Sequence, residues 1–241
     1  MSAGHGLVVL GTAVAAIAVP LFIRRRAPGS SSRGVRWTLA ALLLASVTTY
    51  LALAASSGEL RPLDFLPLHL CDLAIFVAAF ALVTGNRLAS EILYYWALAG
   101  TTLAIVTPDV AGTFPDWRWV AYFTTHSLVV VSATTLVFGL GRTPRPGSAR
   151  RVFLITLGYA AVVGVVDWAT GANFLYLAWK PAGQTLLDWF GPWPIYIGVA
   201  AVVGWVLFTF LELPFGRLSA ARSGKGPVSP RSPPGAASGG G

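Results

Sequence analysis

Seven apolar runs, each long enough to cross a bilayer, set the limits on this 241-residue chain. They cover 7–23, 37–56, 66–84, 88–107, 119–140, 152–170 and 195–215. A spanning helix needs about 20 apolar residues. Inside lipid the backbone must satisfy its own hydrogen bonds, so only helices and closed barrels can cross. These runs are too long and too uniform for the short alternating strands of a barrel. Composition agrees, with 55% hydrophobic and 11% charged residues and a mean hydropathy of +0.69. The expected fold class is all-α, a polytopic membrane bundle of seven transmembrane helices with no soluble domain.

The charges fix an expected orientation. A net charge of +8 suggests nucleic acid in a soluble protein. Here the basic residues sit between apolar runs, where they act as topology determinants, so no nucleic-acid partner is expected. With a cytoplasmic C-terminus, fourteen of the seventeen Lys and Arg fall on the inner side. Only Arg61, Arg118 and Lys180 fall outside, so the chain reads N-out and C-in. Residues 1–215 form one transmembrane domain, and 216–241, rich in Gly, Ser and Pro, reads as a disordered cytoplasmic tail. Residues 171–194 mix tryptophans with Lys180 and Asp188 and read as an outer interfacial cap. The third helix is expected to begin at Leu66, with Asp64 as its N-cap and Pro67 in its first turn.

Polar groups inside such runs are costly and mark functional sites by default. The stretch Leu66-Pro67-Leu68-His69-Leu70-Cys71-Asp72 holds the only cysteine, a histidine and a carboxylate. A single cysteine excludes an intrachain disulfide. Counted from Leu66 at 1.5 Å per residue, Cys71 lies roughly 7–8 Å below the outer interface. His126 lies roughly 10 Å below it by the same count from Trp119. Asp72, Asp109, Asp167, Asn173, Tyr176, Lys180 and Asp188 fall at the same end, as candidate substrate contacts. His69 and Asp72, three residues apart, share a helix face, whereas His69 and Cys71 do not. The thiol therefore needs a base from another helix, and the expected pair is Cys71 hydrogen-bonded to His126, with His69 nearby. Packing roles stand beside these: cysteine as a small apolar residue, histidine as an interhelical bond, and Thr101, Thr102, Thr124, Thr125 and Ser127 bonding back to helix carbonyls. His69, Cys71, Asp72 and His126 are zinc-ligand types, but their spacing on a helix is poor for joint coordination. No metal and no cofactor is expected.

Several motifs occur in a fixed order: Leu66-Pro67-Leu68-His69-Leu70-Cys71, Thr107-Pro108-Asp109, His126, Asn173-Phe174-Leu175-Tyr176-Leu177, Lys180-Pro181 and Leu187-Asp188-Trp189-Phe190-Gly191-Pro192-Trp193-Pro194. Together, from about Trp37 to Phe215, they resemble the YwaF-type integral membrane family of bacteria, which is similar to the eukaryotic transmembrane protein 164 type. The eukaryotic relatives look like acyltransferases that remodel ether phospholipids at a cysteine centre. The resemblance implies a role for Cys71 as that cysteine and for His126 as the family histidine. It also implies a bacterial plasma membrane as the location. An asparagine is expected in the sixth span, where this chain has Asp167.

Two functions remain open at this point. In the first, a phospholipid acyltransferase or acyl hydrolase uses Cys71, His126 and His69 in the outer half of the bilayer, with membrane phospholipid as substrate. In the second, the same His and Asp residues line the path of a transporter or hold an ion or ligand. The inner halves of spans three to six read as nearly free of ionisable groups, which favours the first.

Overall fold

Where helices begin decides what this bundle brings together, and the third helix begins later than its hydropathy suggests. The computed structural model describes residues 3–25, 30–58, 62–110, 112–183 and 185–223. Among them there is no strand. Helix α3 runs Leu70–Thr84, with His69 as an extended N-cap. The expected start at Leu66 is therefore corrected. Pro67 bends the chain so that Leu68 N–H donates to Leu66 O at 2.8 Å. Proline disfavours helical dihedrals in the residue before it and has no N–H to give. Tyr159 Oη donates to the Leu68 carbonyl at 2.8 Å, which holds this extended entry. Glu59, Arg61 and residues 224–241 lie outside the described residues.

The other helices are α1 (Ala3–Arg25), α2 (Ser30–Ser56), α4 (Arg87–Val106), α5 (Trp117–Gly139), α6 (Ser148–Thr170) and α7 (Ile195–Ser223). All six are long and apolar enough to cross a membrane. The fifteen residues of α3 give about 22 Å, short of a hydrocarbon core of about 30 Å. Most helices outrun their apolar cores. Helix α1 starts before Leu7 because His5 is buried and its Nε2 bonds the Ile105 carbonyl at 2.8 Å. Helix α2 starts before Trp37, and Arg36 then reaches the Leu82 and Val83 carbonyls at 2.5 and 2.8 Å, capping the far end of α3. Helix α7 continues past Phe215 to Ser223, into the stretch read as tail.

Helices α4 and α5 form the centre, with 61% of each span buried, against 11–22% for α1, α2, α6 and α7. Leu43, Leu82, Leu93, Tyr95, Leu136 and Val152 pack between them with no more than traces of exposure. The outer helices carry exposed apolar side chains such as Leu10, Ile17, Val162 and Phe210. That is the pattern expected where lipid replaces water. Residues 171–194 form a cap of two short 3₁₀ turns, Phe174–Tyr176 and Leu186–Phe190. Trp179, Trp189 and Trp193 stand exposed on it. The cap lies at the end where α3, α5 and α7 begin and α4 and α6 finish.

Candidate functional site

The N-terminal turn of α3 places three chemistry-bearing side chains under the cap. Cys71 is a free, half-buried thiol, and the Thr101 hydroxyl lies within hydrogen-bonding reach of it. Thr101 belongs to a π-helical stretch of α4, Trp96–Thr101. The wider turn shifts the side chains that follow it, and such bulges often mark functional sites. Thr102 Oγ1 donates to the Ala97 carbonyl, five residues back, at 3.0 Å, which helps hold the bulge. Asp72 is close enough to interact electrostatically with His69, Cys71, Tyr159 and Tyr176. His69 is not on the helix, so the two do not share a helix face as expected, although they are close enough to interact.

The cap reaches down onto this turn through Phe174, Leu175 and Tyr176. Leu175 N–H donates to His69 Nδ1 at 3.4 Å. The Phe174 and Tyr176 rings lie 5.3 and 5.6 Å from the His69 ring. Leu175 and Tyr176 both have a φ of 56°, a left-handed conformation that costs side-chain-bearing residues of order 1 kcal/mol or more each. Tethers from four elements hold that strain. Asp167 Oδ1 on α6 accepts from Phe174 N–H at 2.9 Å. Tyr176 Oη donates to Asp109 Oδ2 at 3.0 Å. Tyr196 Oη of α7 donates to the Tyr176 carbonyl. Trp193 Nε1 donates to the Leu177 carbonyl at 3.0 Å. Burial first, and then the Asp109 carboxylate, push the Tyr176 phenol above its ordinary range, so it stays a proton donor. Asp167 is 5% exposed, and its Oδ2 has no hydrogen-bond partner among the described residues.

His126 does not bond Cys71, which corrects the expected direct pair. Its Nδ1 meets the Tyr122 carbonyl at 2.7 Å, and its ring stacks on Tyr122 with centroids 4.0 Å apart. Tyr122 interacts electrostatically with Cys71, and its hydroxyl donates to the Ala104 carbonyl at 2.9 Å. Depth along a helix is readable from residue counts, but rotation about its axis is not, and here the His126 ring lies on Tyr122. The backbone partners fix different proton positions in the neutral rings. A carbonyl can only accept, so His126 carries its proton on Nδ1 and leaves the Nε2 lone pair free. An N–H can only donate, so His69 keeps Nδ1 bare and carries its proton on Nε2.

The remaining candidates are committed within the cap. Asn173 Nδ2 donates to the Trp179 carbonyl at 2.8 Å, and its Oδ1 accepts from Ala178 and Trp179 N–H at 2.9 and 3.1 Å. Asp188 accepts from Thr185 N–H at 2.8 Å. Lys180 Nζ lies 3.9 Å from Asp188 and 5.5 Å from the Tyr196 ring centroid. Among the described residues, no group of three or more His, Cys, Asp and Glu is arranged to hold a metal. Thr102 and Thr125 bond back to their own helix, whereas Ser127 instead shares a 2.7 Å hydrogen bond with Thr12 of α1. Sequence reasoning missed Tyr122 and Tyr196, since a tyrosine near the end of an apolar run looks like an interfacial anchor, and Tyr159, which lies mid-run and looks like core.

A second polar cluster, at the end opposite the cap, was also missed. Glu91 is fully buried in α4. It pairs with Arg145 Nε at 2.7 Å and with Arg151 Nη1 at 3.0 Å. In the same cluster Ser148 bonds Glu212 at 2.9 Å through its N–H and Tyr95 at 2.8 Å through its hydroxyl. This corrects the reading that these half-spans carry almost no ionisable group. Comparison with curated proteins and with solved structures finds no match. The TMEM164 family model matches residues 1–212. A match over most of the length, on the segment that builds both polar clusters, places this chain in the TMEM164 family.

Proposed function

We propose that this chain is a membrane phospholipid acyltransferase or acyl hydrolase with Cys71 as nucleophile, its site facing the outer leaflet of a bacterial plasma membrane. The observation that carries the reading is the meeting of a free thiol, His69 and a strained loop at one end of α3, with His126 stacked on Tyr122, which interacts electrostatically with Cys71. In this reading seven helices span, N-out and C-in, and the extended entry 66–69 makes up the missing length of α3. Cys71 is thirteen residues from Thr84, about 20 Å along the helix. That puts it in the outer leaflet, about 10 Å inside the outer edge of a hydrocarbon core about 30 Å thick, so an acyl ester must be drawn down under the cap to meet it. Between this site and Glu91 the core is filled by Ile75, Ala78, Leu93, Ala97, Val129 and Ala133, which suits lipid chemistry better than a transport path.

The chemistry runs in two steps. A water molecule relays the Cys71 proton past Tyr122 to the His126 Nε2, and the thiolate attacks the acyl carbonyl. The His69 Nε2–H donates to the oxyanion as the tetrahedral centre forms. The carbon–oxygen bond to the glycerol breaks, the leaving alcohol takes the proton from His126, and a thioester remains on Cys71. A second lipid alcohol, or water, then attacks the thioester, gives its proton to His126, and frees the thiol. Lys180 at the headgroup level offers a cation to the phosphate, with Asp188 its competitor. Asp109 and Asp167 act on substrate through the 174–176 turn they hold, and Asn173 through the cap it staples.

The test is turnover of labelled phospholipid by purified protein. Cys71→Ser is expected to lose about a thousandfold or more, and His126→Ala about a hundredfold or more. Unchanged turnover in both variants removes the proposal.

A further inference from the structure

Helix α3 finishes, at its other end, in a turn that gathers positive charge without an anion. Gly85 closes α3 in the left-handed conformation, φ 68°, and its N–H donates to the Ala81 carbonyl at 2.8 Å. The Arg142 and Arg36 guanidiniums crowd the same point beside it. Their Nη2 atoms lie 3.0 and 3.6 Å from where a Gly85 Cβ would stand. Arg36 is spent on the Leu82 and Val83 carbonyls. Arg142 and Arg87 are exposed, and among the described residues neither side chain has a hydrogen bond or an ion pair. Like charges so placed repel. Nearby, Arg145 and Arg151 share Glu91, so the absence of a carboxylate is particular to this turn.

An apolar groove opens from the same turn. It is lined by Phe76, Val77 and Phe80 of α3 and by Leu88 and Ile92 of α4, with Asn86 at its polar end. Phe76, Phe80 and Leu88 are 39%, 52% and 37% exposed, so the groove faces outward, toward lipid in a membrane-embedded bundle. Asn86 Oδ1 accepts from Ala89 N–H at 3.0 Å, and Asn86 N–H donates to Thr84 Oγ1 at 3.1 Å, which keeps the mouth of the groove fixed. The groove lies along the half of α3 away from Cys71, so it is separate from the proposed catalytic site.

We infer that this groove and the arginines at its mouth form a binding site for one anionic phospholipid. The phosphate sits against Arg87 and Arg142, and an acyl chain lies along Phe76, Phe80 and Ile92. Charge complementarity selects this occupant, since a neutral zwitterionic lipid leaves the arginine cluster uncompensated, and a soluble phosphate leaves the groove empty. The inference does not rest on the acyltransferase reading.

The experiment is native mass spectrometry of the full chain in detergent, with phosphatidylglycerol and phosphatidylcholine of identical acyl chains offered together. The expected result is preferential retention of one phosphatidylglycerol. Arg87→Gln with Arg142→Gln is expected to weaken that preference roughly fivefold per charge. Leu88→Trp, which fills the groove, is expected to weaken retention of both lipids. Arg87, Arg142 and Leu88 are exposed, so these variants are expected to elute and melt like the parent. Cys71→Ser is expected to retain the lipid unchanged, so this site can fail or stand apart from the catalytic proposal. Equal retention of the two lipids, or full retention of phosphatidylglycerol by the double arginine variant, overturns the inference. Displacement of the lipid by millimolar inorganic phosphate also overturns it, because the groove then adds nothing.

Discussion

The two polar clusters of this bundle both hold carboxylates and tyrosine, and they differ in how far those groups are satisfied. At the end opposite the cap, Glu91 receives three hydrogen bonds from Arg145 and one from Arg151, and its backbone is plain α-helix. In the same cluster Ser148 bonds Glu212 and Tyr95. At the cap end, the Asp167 Oδ2 is left without a partner, Leu175 and Tyr176 hold left-handed backbone, and a thiol lies beside them under the cap. Buried charge that is fully paired anchors helices. Polar groups held under strain and left partly unmet are what a site for a further molecule needs. Both clusters are costly in a membrane, so residue type alone does not separate them.

The sharpest way to break this comparison is to treat the clusters as equivalents and remove one group from each. Cys71→Ser is expected to abolish lipid turnover, by about a thousandfold or more, while leaving resistance to heat within about 1 kcal/mol of the parent. Glu91→Ala is expected to do the reverse. It leaves two arginines facing an apolar core, and unfolding in detergent is expected to become easier by about 3 kcal/mol, with turnover per folded molecule unchanged. The low end of the range for broken buried pairs applies because the arginines are about two-fifths exposed. If Glu91→Ala destroys turnover in folded protein, the division of labour is wrong.

Two smaller changes sharpen the cap end. Asp167→Leu leaves the Phe174 N–H buried and unmet, which costs about 2 kcal/mol and is expected to lower turnover about tenfold by loosening the 174–176 turn. Asp167→Asn keeps an acceptor for that N–H and is expected to stay within a few-fold of the parent. Equal losses in both variants indicate that the unpartnered oxygen itself meets the substrate. Tyr176→Phe removes only the bond to Asp109 and is expected to cost about 1 kcal/mol of stability with a few-fold fall in turnover.

Much of this was legible in the chain. Apolar runs located the spans because the bilayer imposes their length. The gathering of His69, Cys71, Asp72, Asp109 and Tyr176 under the cap followed from counting residues from the same face. What escaped has physical causes. Pro67 is compatible with a helical first turn in general, and only the Tyr159 hydroxyl on the Leu68 carbonyl shows why the chain stays extended here. Glu91 is one charge close to a helix start, where solvated carboxylates are ordinary, and its arginine partners lie more than fifty residues later. Left-handed backbone at Leu175 and Tyr176 carries no local signal, because neither residue is glycine. The rotation of α5 that turns His126 onto Tyr122 depends on packing, and no spacing rule encodes it.

The central claim is that the Cys71 sulfur carries an acyl group during the reaction. Intact-mass and peptide mass spectrometry of protein quenched in acid after mixing with a phospholipid of defined acyl chains tests it directly. The account predicts an added mass equal to that acyl chain on the peptide holding Cys71, removed by neutral hydroxylamine and missing in Cys71→Ser. Lipid turnover by Cys71→Ser at the parent rate, with no acylated Cys71 in the parent, would contradict it.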